Sequence, residues 1–168
     1  MKAVIQRVRW ASVSSVAAGG DAAAPTVREI GHGLVALAGF EKGDTDEDRH
    51  WMAEKIAGLR VFEDEQGKMN RSVVEVGGSV LLVPNFTVAG DARKGRRPSF
   101  DHAMEPGLAG PEFERFVEDV RGLVAAAPGM RVERGEFRAT MLVTIENDGP
   151  VTIILDPRAR GREETGVP

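Results

Sequence analysis

Residues 140–155, TMLVTIENDGPVTIIL, carry the clearest structural signal in the chain. Met141, Val143 and Ile145 alternate with Leu142 and Thr144, the period-two pattern of a strand with one covered face. Asn147, Asp148, Gly149 and Pro150 are the residue types of a turn. Residues 151–155 resume an apolar run. The C-terminal end therefore reads as two strands joined by a hairpin turn. Working back from it, residues 130–137 read as another strand. Residues 111–127 space Phe113, Phe116, Val117, Val120 and Val124 along the buried face of a helix, with Pro111 suited to its first position.

The N-terminal half repeats the theme. Residues 2–8 form an opening strand rich in Val and Ile. Residues 17–25, AAGGDAAAP, read as a long hairpin loop. Residues 33–40, GLVALAGF, make a short apolar strand bounded by glycines. A first helix spans 44–60, capped by Asp44 or Thr45, with Asp46, Glu47 and Asp48 in its first turn, where the dipole favours negative charge. Met52, Ile56 and Leu59 form its buried stripe. Gly67 marks a turn, and residues 79–83, SVLLV, give a further buried strand. Strands, helix, strands, helix, strands is an α+β order and not a regular βαβ alternation. We expect one domain over residues 1–156, followed by a polar, frayed tail over 157–168.

With 168 residues, 42% of them hydrophobic and 29% charged, the chain can bury a core of its own. It has no cysteine, which removes disulfides and thiolate metal sites. No apolar run approaches the roughly 18–20 residues of a membrane helix. Arg7 and Arg9 interrupt the N-terminal stretch where a secretory signal needs unbroken apolar residues, so a cytoplasmic protein is expected. A net charge of −4 argues against a general nucleic-acid coat, though not against a grip on one short RNA end.

Walker loop, GxGxxG, HExxH and GxSxG motifs are absent. His32, His50 and His102 are scattered, and the residue four after His50 is Glu54. No metal or cofactor is expected. Three segments remain as candidates. Pro84 ends the SVLLV strand and removes a ladder donor, which leaves the N–H groups that follow, around Asn85, Phe86 and Thr87, free for a ligand. Such donors beside a hydroxyl suit the oxyanion of an ester-cleaving site. The same segment also reads as a strand end with an ordinary capping threonine. Residues 147–152, NDGPVT, read as a turn. If their Gly-Pro bond were cis, rigid carbonyls could read an amino group. Arg93-Lys94-Gly95-Arg96-Arg97 is either a local phosphate site or a solvated loop.

Taken together these segments resemble the D-aminoacyl-tRNA deacylase family. The likeness runs through AVIQRVRWASV (3–13), GFEKGDTDED (39–48), AEKIAGLRVFEDEQGKMNRSV (53–73) and GGSVLLV (77–83). DARKGRRPSF (91–100) and NDGPVT (147–152) carry it most strongly. The resemblance implies a single α+β domain, a mainly antiparallel, barrel-like sheet with two helices packed on it. It implies a cofactor-free hydrolase that cleaves D-aminoacyl-tRNA, and mischarged glycyl-tRNA too, as chiral proofreading. It implies a homodimer with its active site at the interface. There a cis Gly149–Pro150 pair enters the partner's pocket, and its carbonyls turn L-substrates away. Arg7 props that loop, Phe137, Ala139 and Met141 hold the terminal adenosine, and Asn85, Phe86 and Thr87 line the ester, with the ribose 2′-hydroxyl assisting.

The chain departs from the family at two places. Pro84-Asn85-Phe86-Thr87-Val88 stands where Ser-Gln-Phe-Thr-Leu is usual, and Thr140 stands where Asp is usual. Two other readings follow. One is a module of the same fold that holds the aminoacyl end without cleaving it. The other is an interaction protein whose basic loop binds a different polyanion.

Overall fold

The computed structural model describes residues 1–16, 25–124 and 129–160. Residues 17–24 of the expected loop, the end of the second helix and most of the C-terminal tail lie outside the described residues. The first strand is longer than the sequence suggests. β1 (Lys2–Val16) runs the length of the sheet and pairs antiparallel with three others. Its first half pairs with β3 (Gly33–Gly39) and its second half with β2 (Thr26–Ile30). Along its opposite edge it pairs with β8 (Thr140–Leu155).

Beyond β3 the sheet continues through β6 (Ser79–Pro84) and β7 (Val132–Arg134), both added in parallel. Parallel neighbours need crossovers. The helices supply them: α1 (Asp46–Gly58) between β3 and β6, and α2 (Pro106–Val124) between β6 and β7. A small hairpin of β4 (Phe62–Glu63) and β5 (Met69–Arg71) follows α1. The sheet curls until β2 meets β7, where the Arg28 guanidinium donates to the Arg134 carbonyl at 3.3 Å. That contact spans the seam of a nearly closed barrel.

Two apolar clusters sit on the two faces of the sheet. Leu34, Ala36, Ala38, Val80 and Leu82 face α1 and α2 and meet Met52, Ile56, Phe113 and Phe116. Val35, Leu81 and Val83, one position out of phase, face inward with Val8, Ala11 and Val13. β1 serves both. Ala3 and Ile5 belong to the helix side, whereas Ala11 and Val13, of the same parity, belong to the other. The switch is a bulge: Val8 pairs with Asn147 and Trp10 with Glu146, which leaves Arg9 as an extra residue that flips the pleat.

The expected stripes on both helices are buried, with Leu59 just beyond the end of α1 and half-buried against the core. Thr45 is the cap. Its hydroxyl accepts from the Asp48 N–H at 3.2 Å, and the Asp48 carboxylate reaches back to the Thr45 N–H at 3.1 Å. α2 begins five residues earlier than expected. Pro106 takes the first turn, and Pro111 lies inside the helix, where it removes one backbone donor. The polar tail opens with a short 3-10 turn, Pro157–Ala159, whose Arg158 bonds the Lys42 carbonyl at 2.8 Å.

Strand β8 differs most from the expected pattern. Residues 147–150 are not a hairpin turn. β8 continues through them and pairs with β1 on both sides, Asn147 with Val8 and Thr152 with Gln6. Between those pairs, residues 148–151 face Arg7 alone and stand out from the sheet as a broad bulge. A turn composition marks a chain that leaves the ladder, and here it returns to the same partner strand.

Candidate active site

An apolar pocket opens beyond the carboxyl ends of the parallel strands β3 and β6, the crevice in which open α/β arrangements commonly hold ligands. It has a volume of about 570 Å³, a size suited to a small-molecule group. Leu37 and Val83 form its floor, Met104, Pro106 and Ala109 one side, and Met141, Val143 and Ile145 of β8 the other. Five residues singled out from the sequence, Asn85, Phe86, Phe137, Ala139 and Met141, line it together. Among the described residues, Arg138 is the only ionisable side chain in its lining.

The end of β6 is built as expected up to a point. Pro84 closes the pairing, and the Asn85 N–H still donates to the Ala38 carbonyl at 2.8 Å. The chain then turns through a 3-10 turn, Phe86–Ala89. Asn85 caps it, its Oδ1 accepting from the Thr87 N–H at 3.1 Å and from the Thr87 hydroxyl at 2.7 Å. The Thr87 N–H is therefore engaged, and of the three donors anticipated here, at Asn85, Phe86 and Thr87, only that of Phe86 lacks an acceptor among the described residues. Thr87 is exposed and stands outside the pocket lining. Gly39 lets this turn lie against β3: a Cβ there would sit 2.9 Å from the Asn85 carbonyl oxygen and 3.0 Å from the Ala89 nitrogen. Phe86, 51% exposed, stacks on Phe100 with centroids 4.8 Å apart.

On the facing wall, residues 136–139 turn tightly, with the Ala139 N–H donating to the Glu136 carbonyl at 3.3 Å. Arg138 takes φ +63°, the only non-glycine residue in the left-handed region among those described. A left-handed arginine in a pocket wall marks a turn whose shape outranks its residue preference. Sequence reading passed over it, because nothing in composition or spacing distinguishes it.

Gly149, Pro150 and Arg7 form a second locus, away from this pocket. The Gly149–Pro150 bond is cis, Gly149 has φ +117°, and both residues are exposed at the crest of the β8 bulge. Arg7, almost fully buried, underpins it. Its guanidinium lies 3.0 Å from the Asp148 carboxylate and donates to the Val61 carbonyl. Arg9, the extra residue of the β1 bulge, reaches the other Asp148 oxygen at 3.1 Å. Asn147, which sequence reading took only as a turn residue, ties the base together. Its Nδ2 donates to the Arg7 carbonyl at 2.9 Å and to the Val151 carbonyl at 3.0 Å. Gly149, Arg7, Arg9 and Asp148 share a polar recess with His32 and Arg71 that has no lining residue in common with the apolar pocket.

A nearly closed sheet, two crossover helices and a pocket lined almost wholly by apolar side chains define a class, the single-domain proteins of the deacylase fold. Two solved structures share that fold. One, named c-Myc DNA Unwinding Element Binding Protein, has a TM-score of 0.80 at 39% identity, over 93% of this chain and 98% of that one. The other, a probable eukaryotic D-amino acid tRNA deacylase, has a TM-score of 0.73 at 18% identity, over 92% and 97%, a likeness of fold. Residues 4–156 match the family model described as D-Tyr-tRNA(Tyr) deacylase, and the chain belongs to that family. Among its relatives are D-aminoacyl-tRNA deacylases from Geobacter sulfurreducens, 50% identical over 95% of this chain and 97% of the relative, and from Desulforudis audaxviator, 52% identical over 94% and 98%.

Proposed function

We propose that this protein hydrolyses the ester joining a D-amino acid, or mischarged glycine, to the 3′ end of tRNA. We propose further that it does so as a cytoplasmic homodimer. One observation carries the reading: the apolar pocket holds donors and stacking surfaces but no nucleophile, acid or base, and the Gly149–Pro150 crest stands outside it. Such a site works by position and by main-chain electrostatics. The terminal adenosine packs against Phe137, Ala139 and Met141. The Phe86 N–H faces the ester carbonyl, where it meets the charge that develops on the oxygen. Thr87, held by Asn85, orients the ester from the rim. With no protein base at hand, the proton passes through the ribose hydroxyl beside the ester and water.

The crest serves the pocket of a second copy. Its carbonyls accept from the substrate's amino group and leave no room for a side chain of L configuration, whereas a D side chain points into open space. Leu142 and Ile154 of β8 are 72% and 73% exposed, and Trp10 of the neighbouring β1 is 37% exposed. Apolar groups left exposed along the β1–β8 pair are what contact with a second copy would cover. No helix among the described residues is long and apolar enough to cross a membrane.

The test is deacylation of matched D-Tyr-tRNA and L-Tyr-tRNA by purified protein, with its mass measured in solution. We expect D-Tyr-tRNA to be preferred by about 100-fold in kcat/KM, within reach of one steric exclusion, and the mass of two chains. Equal rates on both hands would remove the chirality claim. Tight binding of D-Tyr-tRNA without release of the amino acid would leave a binding module.

A further inference from the structure

We infer that the loop between Asp91 and Ser99 is a docking surface for the sugar-phosphate backbone of the substrate RNA just before its 3′ end. The inference rests on the function proposed above and adds a partner surface to that site.

The loop is built, not merely basic. Asp91 and Ser99 close it with two backbone hydrogen bonds of 2.8 Å each. The Asp91 carboxylate then accepts from the Arg93 backbone N–H at 2.9 Å and grips its guanidinium at 2.9 and 2.6 Å. That guanidinium holds the Asp91 carboxyl far below the usual carboxylate range. Arg93 is thus a clamp with its charge answered. Lys94, Arg96 and Arg97 are exposed and have no carboxylate partner among the described residues. Three cations in four positions, on a chain of net charge −4, make a local anion surface.

Its placement decides which anion. The loop leaves from Gly90, directly after the 3-10 turn that carries Phe86, and returns at Phe100, which stacks on Phe86. Entry and exit are pinned together: a Cβ on Gly90 would lie 2.9 Å from the Phe100 ring. Past Phe100 the chain reaches Met104, whose N–H donates to the Phe40 carbonyl at 3.0 Å, and both residues line the pocket. The loop is therefore anchored to the pocket at both ends. An aminoacyl end seated in that pocket leaves its preceding phosphates outside, and the lining offers them Arg138 alone. Phosphate contacts of this kind fix register without reading sequence, as a substrate class of many tRNAs requires.

The test compares the triple variant Lys94→Gln/Arg96→Gln/Arg97→Gln with wild type on two substrates, D-Tyr-tRNA and the D-Tyr ester of adenosine, which has no phosphates. On D-Tyr-tRNA we expect kcat/KM to fall about 10- to 100-fold, mostly through KM, with the salt dependence of log kcat/KM shallower by about 2. On the adenosine ester the rate should change less than about twofold, since the lost contacts are to phosphate. Arg96→Lys/Arg97→Lys, which keeps the charge, should restore activity on D-Tyr-tRNA. Equal loss on both substrates would overturn the inference and make the loop a support for Phe86, and no loss on either would overturn it as well. A parallel arm measures binding of uncharged tRNA by fluorescence anisotropy. Weaker binding by the triple variant sustains the docking surface even if wild type cleaves neither ester, which would sink the hydrolase reading alone. Unchanged binding overturns the surface.

Discussion

The apolar pocket and the Gly149–Pro150 crest both present main chain to whatever they bind, yet they are held in opposite ways. The pocket's donor, at Phe86, is positioned by local bonds: a side-chain cap two residues long and a glycine that lets the turn lie on β3. The crest is positioned from a distance. Arg7 and Asn147 reach it from beneath, one nearly buried, across a strand pair separated by some 140 residues of sequence. Locally held structure is cheap to disturb and disturbs little else. Structure held by a buried charge is costly to disturb, because the partners left behind stay desolvated.

Four substitutions sharpen or break that contrast. Arg7→Ala should have the largest effect, about 3 kcal/mol of stability, because it leaves the Val61 carbonyl unpaired and Asp148 with the exposed Arg9 as its one remaining partner. Urea denaturation reads the loss, and the preference for D over L should shrink with it. Gly149→Ala comes next, at about 2 kcal/mol, since an alanine at that positive φ is strained and neighbours must shift. Its Cβ would meet Val151 Cγ2 at 2.9 Å. Discrimination should fall more than the rate on D-Tyr-tRNA, and an unchanged D/L ratio would detach the crest from chirality. Asn85→Ala removes only a cap, about 1 kcal/mol. Thermal denaturation should show that small loss, while kcat falls about fivefold as the Phe86 N–H loosens. Arg138→Gly should stabilise by about 0.5 kcal/mol, the left-handed cost relieved less the entropy glycine adds to the unfolded chain. A rise in melting temperature with the D/L ratio intact would show that this wall takes no part in chirality.

Much of the fold could be read in advance wherever burial imposes a period. The stripe Phe113, Phe116, Val117, Val120, Val124 and the alternation Met141, Val143, Ile145 both survive as written, because a core face leaves its spacing in the sequence. The errors fall where two local signals compete. Pro106 and Pro111 both suit a first turn, and only the packing of Ala109 against the core decides for the earlier one. NDGP has the composition of a reversal, and only the long-range partner, β1, shows that the strand resumes. In the site, the residues that share the pocket were nameable through family likeness. The capture of the Thr87 N–H by Asn85 and the left-handed Arg138 were not, since both are properties of backbone geometry that no residue pattern encodes.

The bulge in β8 has a further consequence. Pairing with β1 is correct at Asn147 and correct again at Thr152, so the two flanks keep their registers independently of what lies between them. The height of the crest is thus a separate dimension of the molecule: the length and bulk of residues 148–151 can vary without shifting a single pleat of the barrel. A fold arranged this way can change how far that crest projects while leaving the rest of the sheet untouched.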